Sequence, residues 1–154
     1  MTLSRLTGIS LSGLSGSKIE IEVDVSNGLP SYALLGLPDA TLNEARDRIR
    51  SAIINSGFLW PNKKLTISLS PAWLPKSGSA FDLPIALAIL AASEQINHSR
   101  LMGTLFIGEL SLEGGLRSVR GLLPMLIAAK SENFKELVIP SDSFGEAAIL
   151  HDIK

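Results

Sequence analysis

The sequence predicts a layered, mixed α/β domain, and three observations carry that expectation. Residues 18–26 alternate, with Ile19, Ile21, Val23 and Val25 on one face and Lys18, Glu20, Glu22 and Asp24 on the other, which is the period of a half-buried strand. Residues 39–55 repeat apolar side chains at three- and four-residue spacing, the period of a helix with one buried stripe. Residues 83–92, LPIALAILAA, are apolar on every side, as suits a helix at the centre of a core. Strands and helices interleaved in this way pack as layers.

The first residues also read as strand. Leu3, Arg5 and Thr7 share one parity, and Ile9 and Leu11 lead with polar serines into the turn Ser15-Gly16-Ser17. Lys18–Ser26 is the second strand. Asn27-Gly28 signals a turn, and residues 31–36 (SYALLG) return as a third strand after a connection lengthened by Leu29-Pro30. Asp39 offers an N-cap to a helix running to about Asn55, with Gly57 placed for a left-handed C-cap. Leu42, Ala45, Ile49, Ala52 and Ile53 form its buried stripe. Glu44 and Arg48 are paired at i, i+4, while Arg46 and Arg50 share another face.

Residues 64–70 (KLTISLS) alternate with Leu65, Ile67 and Leu69 inward. A loop punctuated by proline and glycine, Pro71 to Ala80, precedes a helix from Leu83 to about Gln95, capped by Asp82, whose first turn accommodates Pro84. Residues 104–108 read as a short strand, and residues 110–116 as a hairpin around Glu113-Gly114-Gly115. A third helix runs from Leu122 to about Ser131, and Glu136 to Ile139 make a last strand. Ser141 or Asp142 caps a terminal helix reaching Leu150.

A chain of 154 residues suits one domain, over residues 1–150, with residues 151–154 as the start of a linker to further sequence. Hydrophobic residues make up 45% and charged residues 19%, the composition of a filled core. The net charge of -1 argues against broad, charge-driven adhesion to nucleic acid and leaves room only for a local basic patch. Without cysteine there is no disulfide, thiolate metal site or cysteine nucleophile, and the two histidines, His98 and His151, lack the spacing of a metal motif. The opening MTLSRLTGIS has no continuous apolar core of a secretory signal, and the run Leu83 to Ala92 falls short of the roughly 18–20 residues that span a bilayer. A cytoplasmic location and no membrane partner are the expectation. No Gly-x-x-x-x-Gly-Lys-Ser/Thr loop occurs, so nucleotide binding is not credited to these residues.

Two segments carry a family resemblance. The first is Pro75-Lys76-Ser77-Gly78-Ser79-Ala80-Phe81-Asp82 followed by the apolar helix. The second runs from Gly108-Glu109-Leu110-Ser111-Leu112 through a glycine turn and Arg120-Gly121-Leu122 to Leu137-Val138-Ile139-Pro140. They resemble the segments of Lon-type peptidases that carry a nucleophilic serine, in Pro-Lys-Asp-Gly-Pro-Ser-Ala-Gly, and a basic lysine, in Gly-Gly-Leu-Lys. Here the serine position falls on Ala80 and the lysine position on Leu123. A methyl and an isobutyl group supply neither nucleophile nor base. Ser77, Ser79 and Lys76 lie nearby in the same loop.

Three further runs extend the likeness over almost the whole chain: Gly36-Leu37-Pro38-Asp39, then Glu44 to Ile53 (EARDRIRSAI), then Asp82-Leu83-Pro84-Ile85-Ala86. Together they closely resemble the N-terminal domain of the ComM/YifB family, often labelled magnesium-chelatase-like. That resemblance implies an α+β two-layer sandwich of the ribosomal protein S5 domain 2-like, Lon protease-like fold, without peptidase chemistry of its own. It also implies a following AAA+ ATPase domain that would hold ATP and Mg, with no cofactor or metal in this fragment. The family's hexameric helicases act in DNA branch migration during natural transformation. The implied partners are the chain's own AAA+ domain, further copies in a hexamer, and DNA. Arg46, Arg48, Arg50, Arg117 and Arg120 are the candidate DNA or partner contacts, because guanidinium suits phosphate and carboxylate alike. The alternative is an ATP-dependent Lon-like serine peptidase using Ser79.

Overall fold

The computed structural model describes residues 2–36, 39–134 and 136–151. Its main sheet has four strands: β1 (Leu3–Ser12), β2 (Ser15–Ser26), β3 (Ser31–Leu35) and β4 (Lys64–Ser70), ordered β1-β2-β4-β3. β1 and β2 form an antiparallel hairpin whose register runs from Leu3 opposite Asp24 to Ser12 opposite Ser15. β4 adds antiparallel to β2, with Ile21 opposite Leu69 and Val23 opposite Ile67.

β3 does not fold back onto β2. It lies at the sheet edge, parallel to β4, with Tyr32 opposite Leu65 and Leu34 opposite Ile67. The cause is the helix between them: α1 (Ala40–Asn55) carries the chain across the sheet, and two strands joined by such a crossover run parallel. Gly36 ends β3 at φ +106, and a Cβ there would fall 2.0 Å from the carbonyl oxygen of Leu69, so this close approach requires glycine.

Strand alternation sets the core. Ile19, Ile21 and Val23 of β2 and Ile67 and Leu69 of β4 are fully buried, and they join the expected stripe of α1 in one cluster. Asp39 caps α1, its Oδ1 accepting the Leu42 N–H at 3.0 Å, and Gly57 follows the helix at φ +86. The apolar helix α2 (Asp82–Ala92) is buried almost throughout and packs on β1, β2 and α1. A second cluster, including Ile9, Ala80, Leu105, Ile107, Leu122, Met125 and Leu126, lies under α3 (Leu122–Ser131). Two short pairs complete the molecule: β5 (Thr104–Phe106) parallel to β8 (Glu136–Val138), and β6 (Glu109–Leu110) antiparallel to β7 (Leu116–Arg117).

Three expectations are corrected at helix ends. Asp82 is the first residue of α2 rather than its cap, and its carboxylate is engaged elsewhere. α2 stops at Ala92, because Ser93 Oγ bonds back to the Ile89 carbonyl at 2.8 Å and the Gln95 side chain clasps the Leu59 backbone with two 2.8 Å bonds. The terminal helix is a 3₁₀ turn, Ser141–Ser143, followed by α4 (Phe144–Ala147), with no side-chain cap from Ser141 or Asp142 and an end short of Leu150. Gly145 within so short a segment gives little to offset the cost of nucleation. Of the expected linker start 151–154, residues 152–154 lie outside the described residues, as do Leu37 and Pro38 of the Gly36–Asp39 motif.

Candidate functional site

The loop between β4 and α2 is built around one buried cation. Lys76 is 2% exposed, and its ammonium donates to the carbonyls of Gly36 at 2.8 Å, Pro71 at 2.7 Å and Leu74 at 2.8 Å. Three donors meet three acceptors, which is what burial of an ammonium demands. Burial lowers the Lys76 pKa, yet the group has no free direction in which to accept a proton from a serine. Ser10 adds a bond from its hydroxyl to the Pro75 carbonyl at 2.5 Å, tying the loop to β1.

A second buried charge lies at the start of α2. Asp82 is fully buried and accepts from Arg48 Nε at 2.8 Å, from Arg48 Nη2 at 3.1 Å and from the Leu110 amide at 3.1 Å. Burial pushes the Asp82 carboxyl above its ordinary value, opposed by the guanidinium and the Leu110 N–H, while the hydrogen bond to Asp82 raises Arg48. The carboxylate thus links α1, α2 and β6. It also corrects the expected Glu44–Arg48 pair: Arg48 turns inward to the desolvated acid, which gains more from a two-pronged partner than the solvated Glu44 does.

The end of the loop between β4 and α2 lines a cavity of about 330 Å³, with Ser77, Ser79, Ala80, Glu109, Arg120 and Met125 among its walls. At its wall the Ser79 hydroxyl donates to the Glu109 carboxylate. Ala80, to which the resemblance assigns the position of the Lon nucleophile, is 7% exposed and belongs to the buried cluster with Leu122 and Met125. Leu123, to which the resemblance assigns the position of the Lon lysine, is half-buried on the first turn of α3 and is not among the residues lining the cavity. Arg120 stands exposed at the cavity wall, two residues before that helix.

The other candidate contacts are separated by the fold. Arg46 and Arg50 are exposed on α1, Arg46 in an ion pair with Asp47 at 3.3 Å, and Arg117 is exposed on β7. Arg48 directs Nε and Nη2 of its guanidinium inward to Asp82, with its side chain 25% exposed. His98 has its ring Nε2 3.1 Å from the Arg5 carbonyl oxygen. Among the described residues, no group of three or more histidines or acids is gathered in a way that could hold a metal ion. No described helix is long and apolar enough to cross a membrane.

A family model for subunit ChlI of Mg-chelatase matches residues 21–143, from the middle of β2 to the 3₁₀ turn before α4. The chain belongs to this family. The ChlI-family match therefore takes in the Lys76 loop, the Arg48–Asp82 pair and the residues lining the cavity. The chain is 43% identical over 152 residues to the competence protein ComM of Haemophilus influenzae, covering 99% of this chain and 30% of ComM. It is 43% identical over 151 residues to the uncharacterised protein YifB of Escherichia coli, covering 98% of this chain and 30% of YifB. The likeness to the ComM/YifB proteins read from the sequence is therefore borne out. A weaker match, 25% identical over 139 residues, joins 88% of the chain to 16% of the Lon protease of Leptospira interrogans, in keeping with the mixed α/β, Lon-like fold. The chain spans about three-tenths of the length of the ComM and YifB relatives it matches.

Sequence reasoning missed Glu109 and the task of Asp82 in this ChlI-family domain. Glu109 had a signal, a lone acid beside Gly108 in an otherwise apolar strand. Asp82 looked like a helix cap, since an acid ahead of an apolar run satisfies that pattern without reference to any distant partner.

Proposed function

We propose that this ChlI-family domain is a non-catalytic, Lon-like module of a ComM-type ATP-driven protein, serving ring assembly and DNA contact in branch migration during natural transformation. The observation that carries this reading is the set of residue types at the two Lon-like positions and in the loop beside them. Ala80 stands where Lon-type peptidases have the nucleophile, Leu123 where they have the base, and the nearby Lys76 ammonium is committed to three carbonyls. Geometry and residue type are both required of a serine-lysine dyad. The name and 43% identity of ComM support the competence role. The chain does not fit ATP and Mg: it lacks a phosphate loop, and its buried lysine serves backbone carbonyls. In this reading they belong to a separate ATPase domain, the hexamer forms through both domains, and the protein works in the cytoplasm.

Titration of the chain with single- and double-stranded DNA at two salt concentrations tests the contact role. Binding should weaken with salt as phosphate contacts release counterions, and Arg46→Gln, Arg50→Gln and Arg117→Gln should each reduce that salt dependence. Binding indifferent to salt, or none, removes DNA and leaves assembly alone. One observation favours the alternative of an ATP-dependent serine peptidase, the Ser79–Glu109 hydrogen bond in the cavity. Ser79→Ala would then abolish casein cleavage by the ATP-driven protein.

A further inference from the structure

The cavity beside Ala80 holds two opposite charges that do not neutralise one another. Glu109, half-buried on β6, and Arg120, exposed before α3, both line it, yet among the described residues no ion pair joins them. The Glu109 carboxylate accepts the Ser79 hydroxyl, and the positive charge it interacts with is that of Arg48, whose guanidinium is already hydrogen-bonded to Asp82. Ala80, Val119 and Met125 give the same space an apolar wall. A volume of about 330 Å³ lies at the small end of ligand pockets. From this arrangement we infer that the cavity binds a small zwitterion carrying an ammonium and a carboxylate, a free apolar amino acid or a short peptide.

The ammonium sits on Glu109, the carboxylate on Arg120, and the ligand's side chain packs against Met125 and Val119. Both charged contacts are of the strong, charge-assisted kind, and guanidinium suits a carboxylate in particular. A ligand of the right length satisfies both charges at once, which solvent does only separately. Binding is without cleavage, and in that one respect the inference rests on the non-catalytic reading above.

NMR titration of the intact chain with L-leucine and with L-alanyl-L-leucine tests it. Saturable binding of at least one is expected, and the tighter of the two identifies the free amino acid or the peptide as the occupant. N-acetyl-leucinamide, which lacks both charges, should bind at least about tenfold more weakly, and so should L-leucine or the dipeptide to Glu109→Gln or Arg120→Gln. Arg120 is exposed, so its variant keeps the test valid should Glu109→Gln fail to fold. Lys130→Gln, exposed at the far end of α3, should bind as the parent does. No saturable binding by either probe, or equal binding of the uncharged analogue, overturns the site and leaves the non-catalytic reading standing. Binding accompanied by hydrolysis of the dipeptide upholds the site and overturns the non-catalytic reading.

Discussion

Arg48 and Asp82, 34 residues apart in the chain, meet as a two-pronged ion pair with Nε to Oδ2 at 2.8 Å and Nη2 to Oδ1 at 3.1 Å. The acid is fully buried and the arginine side chain 25% exposed, so the pair joins α1 to the root of α2 at the edge of solvent. Arg48→Ala would leave the carboxylate with the Leu110 amide alone. Loss of one partner of a buried pair costs about 3–5 kcal/mol, and urea unfolding should show it. Arg48→Lys should recover only part, because an ammonium cannot reproduce the parallel fork of a guanidinium. An alanine variant as stable as the parent would show the pair to be dispensable.

Lys76 makes the corresponding prediction for the loop. Lys76→Met keeps much of the apolar stem but removes three donors from the carbonyls of half-buried residues. The Pro71 carbonyl keeps the Leu74 N–H at 3.3 Å, whereas those of Gly36 and Leu74 lose this donor, and since a buried carbonyl left without a partner costs about 1–3 kcal/mol, the variant should be less stable by denaturant midpoint. The amine itself should be the slowest of the described lysines to acetylate in the native protein, since it is 2% exposed. Acetylation as rapid as at exposed Lys130 would contradict the burial.

Catalysis should not be recoverable by single substitutions. Ala80→Ser restores a hydroxyl without a base, and Leu123→Lys restores an amine without its nucleophile, so neither should cleave fluorescent casein. Ser79→Ala should likewise change nothing in this non-catalytic reading. Covalent labelling of Ser79 by an activated serine-directed phosphonate would be the result that sinks it.

Tyr32, the single tyrosine of the chain, gives a clean pH signature. Its hydroxyl is buried without a hydrogen-bond partner among the described residues, and its ring stacks on Trp60 with centroids 6.3 Å apart. Burial, aided by the negative charge of Asp82 and opposed by Arg46, pushes the phenol up to about 12. The folded state holds the phenolic proton more tightly than the unfolded chain, whose tyrosine ionises near 10. This contribution to stability is complete below about pH 10 and is lost as pH rises through about 12. Ultraviolet titration of tyrosinate should show a midpoint well above the free phenol, and Tyr32→Phe should flatten the fall in stability across that window.

Much of this fold was legible because its local rules agree. Period-two alternation marked β2 and β4, the i, i+3, i+4 stripe of α1 matched its buried residues, and the all-apolar run of α2 became the core helix. Legibility failed where a residue's role depends on something far away. β3 reads as a strand from its own residues, but its place beside β4 follows from the crossover through α1. Arg48 has a plausible local partner in Glu44, and the buried Asp82 outcompetes it because desolvation makes the distant pairing worth more.

At the site the same division holds. Residue types alone determined that Ala80 and Leu123 provide no nucleophile and no base, because no conformation gives a hydrocarbon side chain those functions. Only the tertiary structure decided what surrounds them: Lys76 spent on three carbonyls, Ala80 packed against the apolar side chains under α3 at the cavity wall, and Glu109 set in one cavity with Arg120. Hydrogen bonds and charges act through space over a few ångströms, and sequence distance says little about which of them will meet once the chain has packed.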